Sequence, residues 1–469
     1  MKIQNSLTNK LEDFKPIKSG IVSIYTCGPT VYDQVHIGNL SSFIYADTLA
    51  RTLRLRYRVN HVMNITDVDD KTIRRSQELY PSINPKEALS KLTKDYETEF
   101  KTDISKLNIN LDNYTFIRAT DSIVLMQELI NKLLKTDFAY LADDGIYFSI
   151  SKYQDSGNKY GKLTNLDYSI KDSSHSRINN DEYDKQTIHD FALWKFKKNQ
   201  EPAWSYIIDG QDYEGRPGWH IECSAMSVSL LEQPFDIHTG GIDLKFPHHE
   251  NEIAQSTTDS LEELAKVFFH SEHLFIDKQK MSKSLSNFFT LKDISKHVSD
   301  PLAFRVLVLQ SSYRSRADFS LDNLKAAHNR LISYKNFSAL RYQLDNTNSS
   351  KQFDFKHVES EIKKSMNYDL NSPQALAELS VFINQVENSL INVSQANEFN
   401  DFIKFIDDIF GFSLEQVKDI TQQQKDQLKT RLDKRTNKDW NSSDEIRQNL
   451  MSEGIGITDI DNQQIWYRV

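Results

Sequence analysis

At 469 residues the chain is too long for one compact core, so roughly two to four domains are expected. Hydrophobic residues make up 38% and charged residues 26%, as in an ordinary globular protein, which excludes disorder of the whole chain. A net charge of −9 argues against a protein that coats nucleic acid non-specifically, so any nucleic-acid partner must be met by local basic patches. Arg51, Arg54, Arg56 and Arg58 form one candidate patch, and Lys425, Lys429, Arg431, Lys434, Arg435 and Lys438 another; the alternative is that they are solvated helix faces. The first twenty residues lack the apolar core of a signal peptide, and no stretch approaches the ~18 apolar residues of a membrane span. A cytoplasmic protein without membrane contact is the expectation. Cys27 and Cys223 are the only cysteines, which does not describe a disulfide scaffold.

Along the chain, Ile21 to Tyr25 is a β-prone run that stops at Cys27-Gly28-Pro29-Thr30. Apolar positions at helical spacing from Leu40 to Leu55 predict a helix, and Val59 to Ile65 predicts a second strand. This β-loop-α-β unit suits a parallel sheet, whose ligands collect at the carboxyl ends of the strands, where Cys27 and Thr66 would lie. From about residue 122 to 205 the pattern is interrupted by a helix at Leu125 to Leu134, β-like pieces and the polar stretch Lys171 to Lys185, which reads as an insertion. Alternation resumes near Trp219. After Asp318 the chain turns helical: Ser372-Pro373 offers a helix start, with Ala375, Leu376, Leu379, Phe382, Ile383, Val386 and Leu390 on one apolar face. A polar stretch from Leu344 to Phe353 reads as a linker or exposed loop. The last fifty residues run as a basic helical stretch to Glu453, then a Gly454-Ile455-Gly456-Ile457 break and a short β-like end.

Three clusters carry chemistry. Pro29 to Asn39 ends in His36-Ile37-Gly38-Asn39 where the first helix begins, and a helix N-terminus stabilises phosphate oxygens. Taken alone, the tetrapeptide is better read as a turn with a structural histidine. Lys280-Met281-Ser282-Lys283-Ser284 offers two lysines that can neutralise a leaving pyrophosphate, or is simply an exposed loop. Both together, in this order and roughly 240 residues apart on α/β patterning, resemble the signature pair of class I aminoacyl-tRNA synthetases. In the third cluster, His248 and Glu252 are four apart on a helix starting after Pro247. With Cys27 and Cys223 they could close a two-sulfur, one-nitrogen, one-oxygen metal site; the alternative is two buried thiols and a surface helix. His249 is a rival ligand, placed about 100° round the helix from His248.

Within class I, the segments Tyr25 to Asp33, Trp219 to Met226, His238 to Asp243 and Pro247 to Gln255 resemble the cysteinyl-tRNA synthetase family, over nearly the whole length. The resemblance implies an α/β protein: a Rossmann-like parallel-sheet catalytic domain with an insertion, a helical anticodon-binding domain and a small C-terminal mixed segment. The corresponding expectation is a catalytic first half at 1–121, an insertion at 122–205, a catalytic second half carrying the lysine loop at 206–318, a helical anticodon-binding domain at 319–415, and a small domain at 416–469. It further implies Zn2+ held by Cys27, Cys223, His248 and Glu252, and ATP, with Mg2+, bound by His36, Gly38, Asn39 and Lys283. His36, Lys280 and Lys283 would act in catalysis, and Thr66, Trp219 and His238 would line the amino-acid pocket. L-cysteine, ATP and tRNA(Cys) are the implied partners. An ATP-dependent ligase joining cysteine to an amino-sugar shares these motifs, but the roughly 150 residues after Asp318 favour tRNA.

Overall fold

The computed structural model describes residues 1–164, 177–178, 190–258, 262–276, 279–280, 288–346, 351–386, 389–460 and 463–469. Two compact units emerge, one formed by Met1–Leu291 with Tyr313–Asp318, the other by Lys292–Ser312 with Phe319–Val469.

The first unit is built on strand β1 (Ile21–Thr26), helix α1 (Ile37–Arg54), β2 (Arg58–Ile65), α2 (Asp70–Leu79), β3 (Thr115–Arg118), α3 (Trp219–Leu231), β4 (Phe235–Gly241), α4 (Glu250–Ser256) and β5 (Ala265–Ser271). The five strands are parallel and ordered β3-β2-β1-β4-β5. The chain therefore reverses its direction of travel between β1 and β4, and a crevice opens at the carboxyl ends of those two strands. Val22, Ile24 and Tyr25 are fully buried in β1, as are Ile237 and His238 in β4, as befits the central strands of a parallel sheet covered on both faces. The expected first unit, strand, helix and strand, is present within a few residues of its predicted bounds.

Between β3 and α3 the chain forms an antiparallel sheet of Ala139–Leu141, Gly145–Phe148, Asp190–Phe196 and Gly215–Pro217. The helix expected at Leu125 to Leu134 spans Ile123–Lys135. The polar stretch Lys171 to Lys185 lies outside the described residues but for the backbone of Arg177–Ile178. Ile207–Ile208 and Gln211–Asp212 make a small hairpin whose turn residues, Asp209 and Gly210, both have positive φ, the two-residue turn that suits strand twist.

The second unit is helical, as expected after Asp318. Ser372–Val386 buries its whole predicted face from Ala375 to Val386. Phe337, Phe353, Phe355, Phe382, Phe399 and Phe402 pack together at ring-centroid distances of 5.2–6.4 Å. Phe353, expected in an exposed linker, is thus a core residue. The chain ends in helices Gln422–Thr436 and Trp440–Ser452 and an antiparallel hairpin of Ile455–Ile460 with Gln463–Arg468. Part of the expected basic surface is interior: Arg431 is fully buried and pairs with Asp459 at 2.7 Å, and Arg51 pairs with Asp47. No helix among the described residues is long and apolar enough to cross a membrane.

Asp67, just past β2, accepts hydrogen bonds from the backbone and hydroxyl of Thr120, yet burial still raises its pKa to about 6. Unfolded, the group titrates near 3.9, so between about pH 4 and 6 the native state holds the extra proton and loses stability as pH rises. Replacing Asp67 with asparagine should remove this slope, worth up to roughly 3 kcal/mol. Thermal unfolding of both proteins from pH 4 to 7 checks it; parallel curves would refute the account.

Candidate active site and metal centre

The crevice predicted by the strand order holds a cavity of about 350 Å3, lined by Cys27, Gly28, His36, Gly38, Asn39, Lys71, Trp219, Gly240, Asp243 and Phe288 among others. On one side stands the start of α1. His36 is its N-cap: Nδ1 accepts the Asn39 N–H at 3.1 Å, so Nε2 carries the ring proton when the imidazole is neutral. The Phe289 carbonyl accepts the Ile37 N–H at 2.9 Å and the Phe288 ring meets His36 edge-on, which seats the chain leaving the lysine loop against this motif. Lys280 lies in a two-residue strand, Gln279–Lys280, paired with Leu274–Ile276. Lys283 lies outside the described residues.

At the other end, α3 and α4 bring four distant residues to the tip of β1. Cys27 Sγ is 3.7 Å from Cys223 Sγ and 3.8 Å from Glu252 Oε1, and His248 Nε2 is 3.1 Å from the same oxygen. A tetrahedral ion with bonds of ~2.3 Å to sulfur and ~2.0 Å to nitrogen or oxygen requires separations of about 3.8, 3.5 and 3.3 Å for these pairs. The donor set therefore fits a tetrahedral metal within a few tenths of an ångström. The groups behind the donors are also engaged. His220 meets His248 Nδ1 at 2.9 Å, and His238 meets the second Glu252 oxygen at 2.8 Å. Burial pushes the Cys27 and Cys223 thiols up and His248 down to about 3, so in the bare protein the thiols are held as SH and the imidazole neutral; a bound cation reverses that preference for the thiols.

His249 does not point away from the cluster. Its Nε2 lies 3.3 Å from Cys27 Sγ, and Cys27, His238, His249 and Glu252 form a second, overlapping donor set. The 100° offset does not separate the two rings from Glu252, which follows His248 by four residues and His249 by three, and both spacings face each other on a helix: His248 Nε2 is 3.1 Å and His249 Nε2 3.9 Å from Glu252 Oε1. The other His249 nitrogen contacts His270 at 2.8 Å, which in turn contacts Ser6.

Trp219 lines the cavity and stacks on His248 with centroids 4.3 Å apart. Thr66 and His238 are fully buried behind the cavity wall. Thr66 belongs to a chain of hydrogen bonds that motif reading missed. The Gly28 N–H donates to Asn64 Oδ1 at 2.8 Å, Asn64 Nδ2 donates to Thr66 Oγ1 at 3.0 Å, and Thr66 donates to Glu222 at 3.0 Å. It ties the residue after Cys27 to the residue before Cys223. The only hint in the sequence was position, since Glu222 adjoins Cys223 and Asn64 precedes Thr66 by two.

A nucleotide-sized crevice at the switch point, a helix N-terminus on one wall and a metal-type donor set on the other define a class, and comparison with known proteins agrees with it. The profile of the class I (C) tRNA synthetase catalytic domain matches residues 13–329. Methionyl-tRNA synthetase of Mycobacterium tuberculosis bound by methionyl-adenylate superimposes with a TM-score of 0.59 at 12% identity, covering 86% of this chain and 93% of that one. A leucyl-tRNA synthetase of Agrobacterium radiobacter in a ternary complex does so at 0.60 and 11%, covering 86% of each chain. The fold is that of the class I aminoacyl-tRNA synthetases. Cysteine-tRNA ligase of Leptospira interrogans is 39% identical over 98% of this chain and 97% of its own, and that of Brachyspira hyodysenteriae 38% identical over 99% and 98%. The chain belongs to the cysteine-tRNA ligase family.

Proposed function

We propose that the protein activates L-cysteine with ATP and transfers it to tRNA(Cys), and that Cys27, Cys223, His248 and Glu252 hold the zinc ion that selects the substrate. The observation that carries this reading is the tetrahedrally spaced donor set, with Cys27 at the cavity wall, facing a helix N-terminus suited to phosphate. The set with both thiols is preferred because sulfur ligands suit zinc, and because His238 is already engaged with the second Glu252 oxygen. Bound there, zinc supplies a soft Lewis acid that takes a thiolate in preference to a hydroxyl. A preference of ~5 kcal/mol would separate cysteine from serine several thousandfold, roughly the range in which editing becomes unnecessary.

In the first step a cysteine carboxylate oxygen bonds to the α-phosphorus of ATP as the bond to the β-phosphate oxygen breaks, and pyrophosphate leaves with that electron pair. In the second, a hydroxyl of the terminal tRNA ribose attacks the carbonyl carbon, AMP leaves, and the hydroxyl proton passes to solvent. His36 donates from Nε2 to a phosphate oxygen, Gly38 and Asn39 let the nucleotide approach the start of α1, and Lys280 and Lys283, with Mg2+, neutralise the pyrophosphate. Trp219 closes the amino-acid end against water, while Thr66 and His238 brace the residues around the metal from behind. Residues 319–415 are assigned to the anticodon of the tRNA.

The test is transfer of labelled cysteine, with serine beside it, to acid-precipitable tRNA by the purified protein with ATP. Charging by cysteine alone is expected. Cysteine-dependent pyrophosphate exchange without charging would move the acceptor to another molecule, such as an amino-sugar, and equal use of serine would remove selection by the metal.

A further inference from the structure

A second cavity, of about 240 Å3, shares no lining residue with the active site and is lined by Asp67, Lys86, Ser90, Lys94, Arg118 and Trp204 among others. It sits at the carboxyl edge of the sheet, for Asp67 follows Thr66 past the end of β2 and Arg118 is the last residue of β3. Lys86, Ser90 and Lys94 stand four residues apart on one face of the helix Pro85–Lys106, and Trp204 comes from the insertion. The three cations are unequally engaged. Arg118 donates from Nε to Glu97 at 2.6 Å, which leaves its two terminal nitrogens. The Lys86 ammonium lies over the Trp204 ring, 5.0 Å from the centroid, a contact that steadies a cation without neutralising it. Neither Lys86 nor Lys94 has a carboxylate partner among the described residues, and both are exposed. Of the two aspartates lining the cavity, Asp67 is buried with both oxygens accepting from Thr120, so only the exposed Asp121 offsets the lysines.

We propose that this cavity is a contact site for the tRNA, taking a backbone phosphate whose oxygens accept from Lys86, Lys94 and the terminal nitrogens of Arg118. The inference rests on the tRNA reading above and adds a place of contact to it. With a net charge of −9 the protein attracts RNA only where cations gather locally, and the patches expected from the sequence are partly used internally, at Arg51 with Asp47 and at Arg431 with Asp459. An acceptor end that enters the crevice between β1 and β4 has to cross the carboxyl edge of the sheet, and this cavity stands on that edge, beside β2 and β3. Phosphate contacts fix the register of an RNA without reading its bases, so the site holds the acceptor arm in place for transfer.

The experiment compares the full-length zinc-loaded protein with its Lys86→Gln/Lys94→Gln, Lys94→Arg and Lys91→Gln variants. Lys91 is exposed on the same helix but lies over Tyr80, outside the cavity, so its loss controls for net charge alone. Equilibrium binding of a tRNA(Cys) transcript is titrated at several salt concentrations, and cysteine-dependent pyrophosphate exchange without tRNA is run beside it. The double variant is expected to bind at least about tenfold more weakly, with the slope of log affinity against log salt smaller by about one for each lysine removed. Its exchange rate and melting temperature are expected to be unchanged. Lys94→Arg, which keeps the charge, and Lys91→Gln are expected to bind within about threefold of the unmodified protein. Unchanged affinity and slope in the double variant, an equal loss per charge in Lys91→Gln, or a loss of exchange along with binding would overturn the site. Should the unmodified protein bind no tRNA, the tRNA reading falls and the site with it. Should it bind and charge tRNA while the double variant does so equally well, the site alone falls.

Discussion

Cys223→Ser is expected to release the metal and to abolish cysteine-dependent pyrophosphate exchange, by at least about 100-fold, while ATP still binds. Cys223 is 1% exposed and its sulfur is one edge of the donor set, 3.7 Å from Cys27 Sγ. A serine oxygen is both shorter-reaching and far harder to deprotonate than a thiol in so buried a place. The remaining thiol, imidazole and carboxylate would then have to hold the ion with a neutral hydroxyl as fourth partner. Elemental analysis after dialysis against a chelator, beside the exchange assay, provides the check. A metal-free variant with full activity would remove the zinc assignment and leave the nucleotide half of the site standing.

Gly28→Ala is expected to reduce cysteine activation about 100-fold and to lower the melting temperature. A Cβ on Gly28 would lie 1.7 Å from the Asn64 carbonyl oxygen and 2.9 Å from its carbon, and both are backbone atoms that no rotamer change can remove. Either the end of β2 or the Cys27-Gly28 turn must move, and the Gly28 N–H loses its bond to Asn64. Displacements near 1 Å at a reacting centre cost on the order of 100-fold. Metal content measured alongside separates the two ways of giving: a moved Cys27 releases metal, whereas a moved β2 keeps the metal and loses the brace through Thr66 to Glu222. An alanine variant indistinguishable from the parent would mean that this close approach does not exist in solution.

Much of this protein was legible before any coordinates. The periodicity of Phe43, Ile44, Ala46, Leu49 and Leu53 specified α1, because a one-sided apolar stripe at 3.6-residue spacing has one favourable way to be buried. The break at Cys27-Gly28-Pro29 marked the end of β1, and two motifs in a fixed order named the class. What failed did so for a physical reason. Arg431 looked like surface because charge usually is, and only its buried pairing with Asp459 revealed otherwise. His249 was set aside for its 100° offset from His248, yet it stands three residues before Glu252, a spacing that also faces that carboxylate, and its Nε2 lies 3.3 Å from Cys27 Sγ.

The sequence by itself determined the inventory: two thiols, a histidine and a carboxylate at i and i+4, a histidine at a helix start, and patterning for a parallel sheet. Those are local properties, set by spacing and side-chain chemistry. Only the tertiary structure decided that Cys27 and Cys223, 196 positions apart, stand 3.7 Å from each other, and that Asn64 and Glu222 brace them. Such meetings depend on strand order and helix packing, which many distant residues set jointly and no short segment encodes.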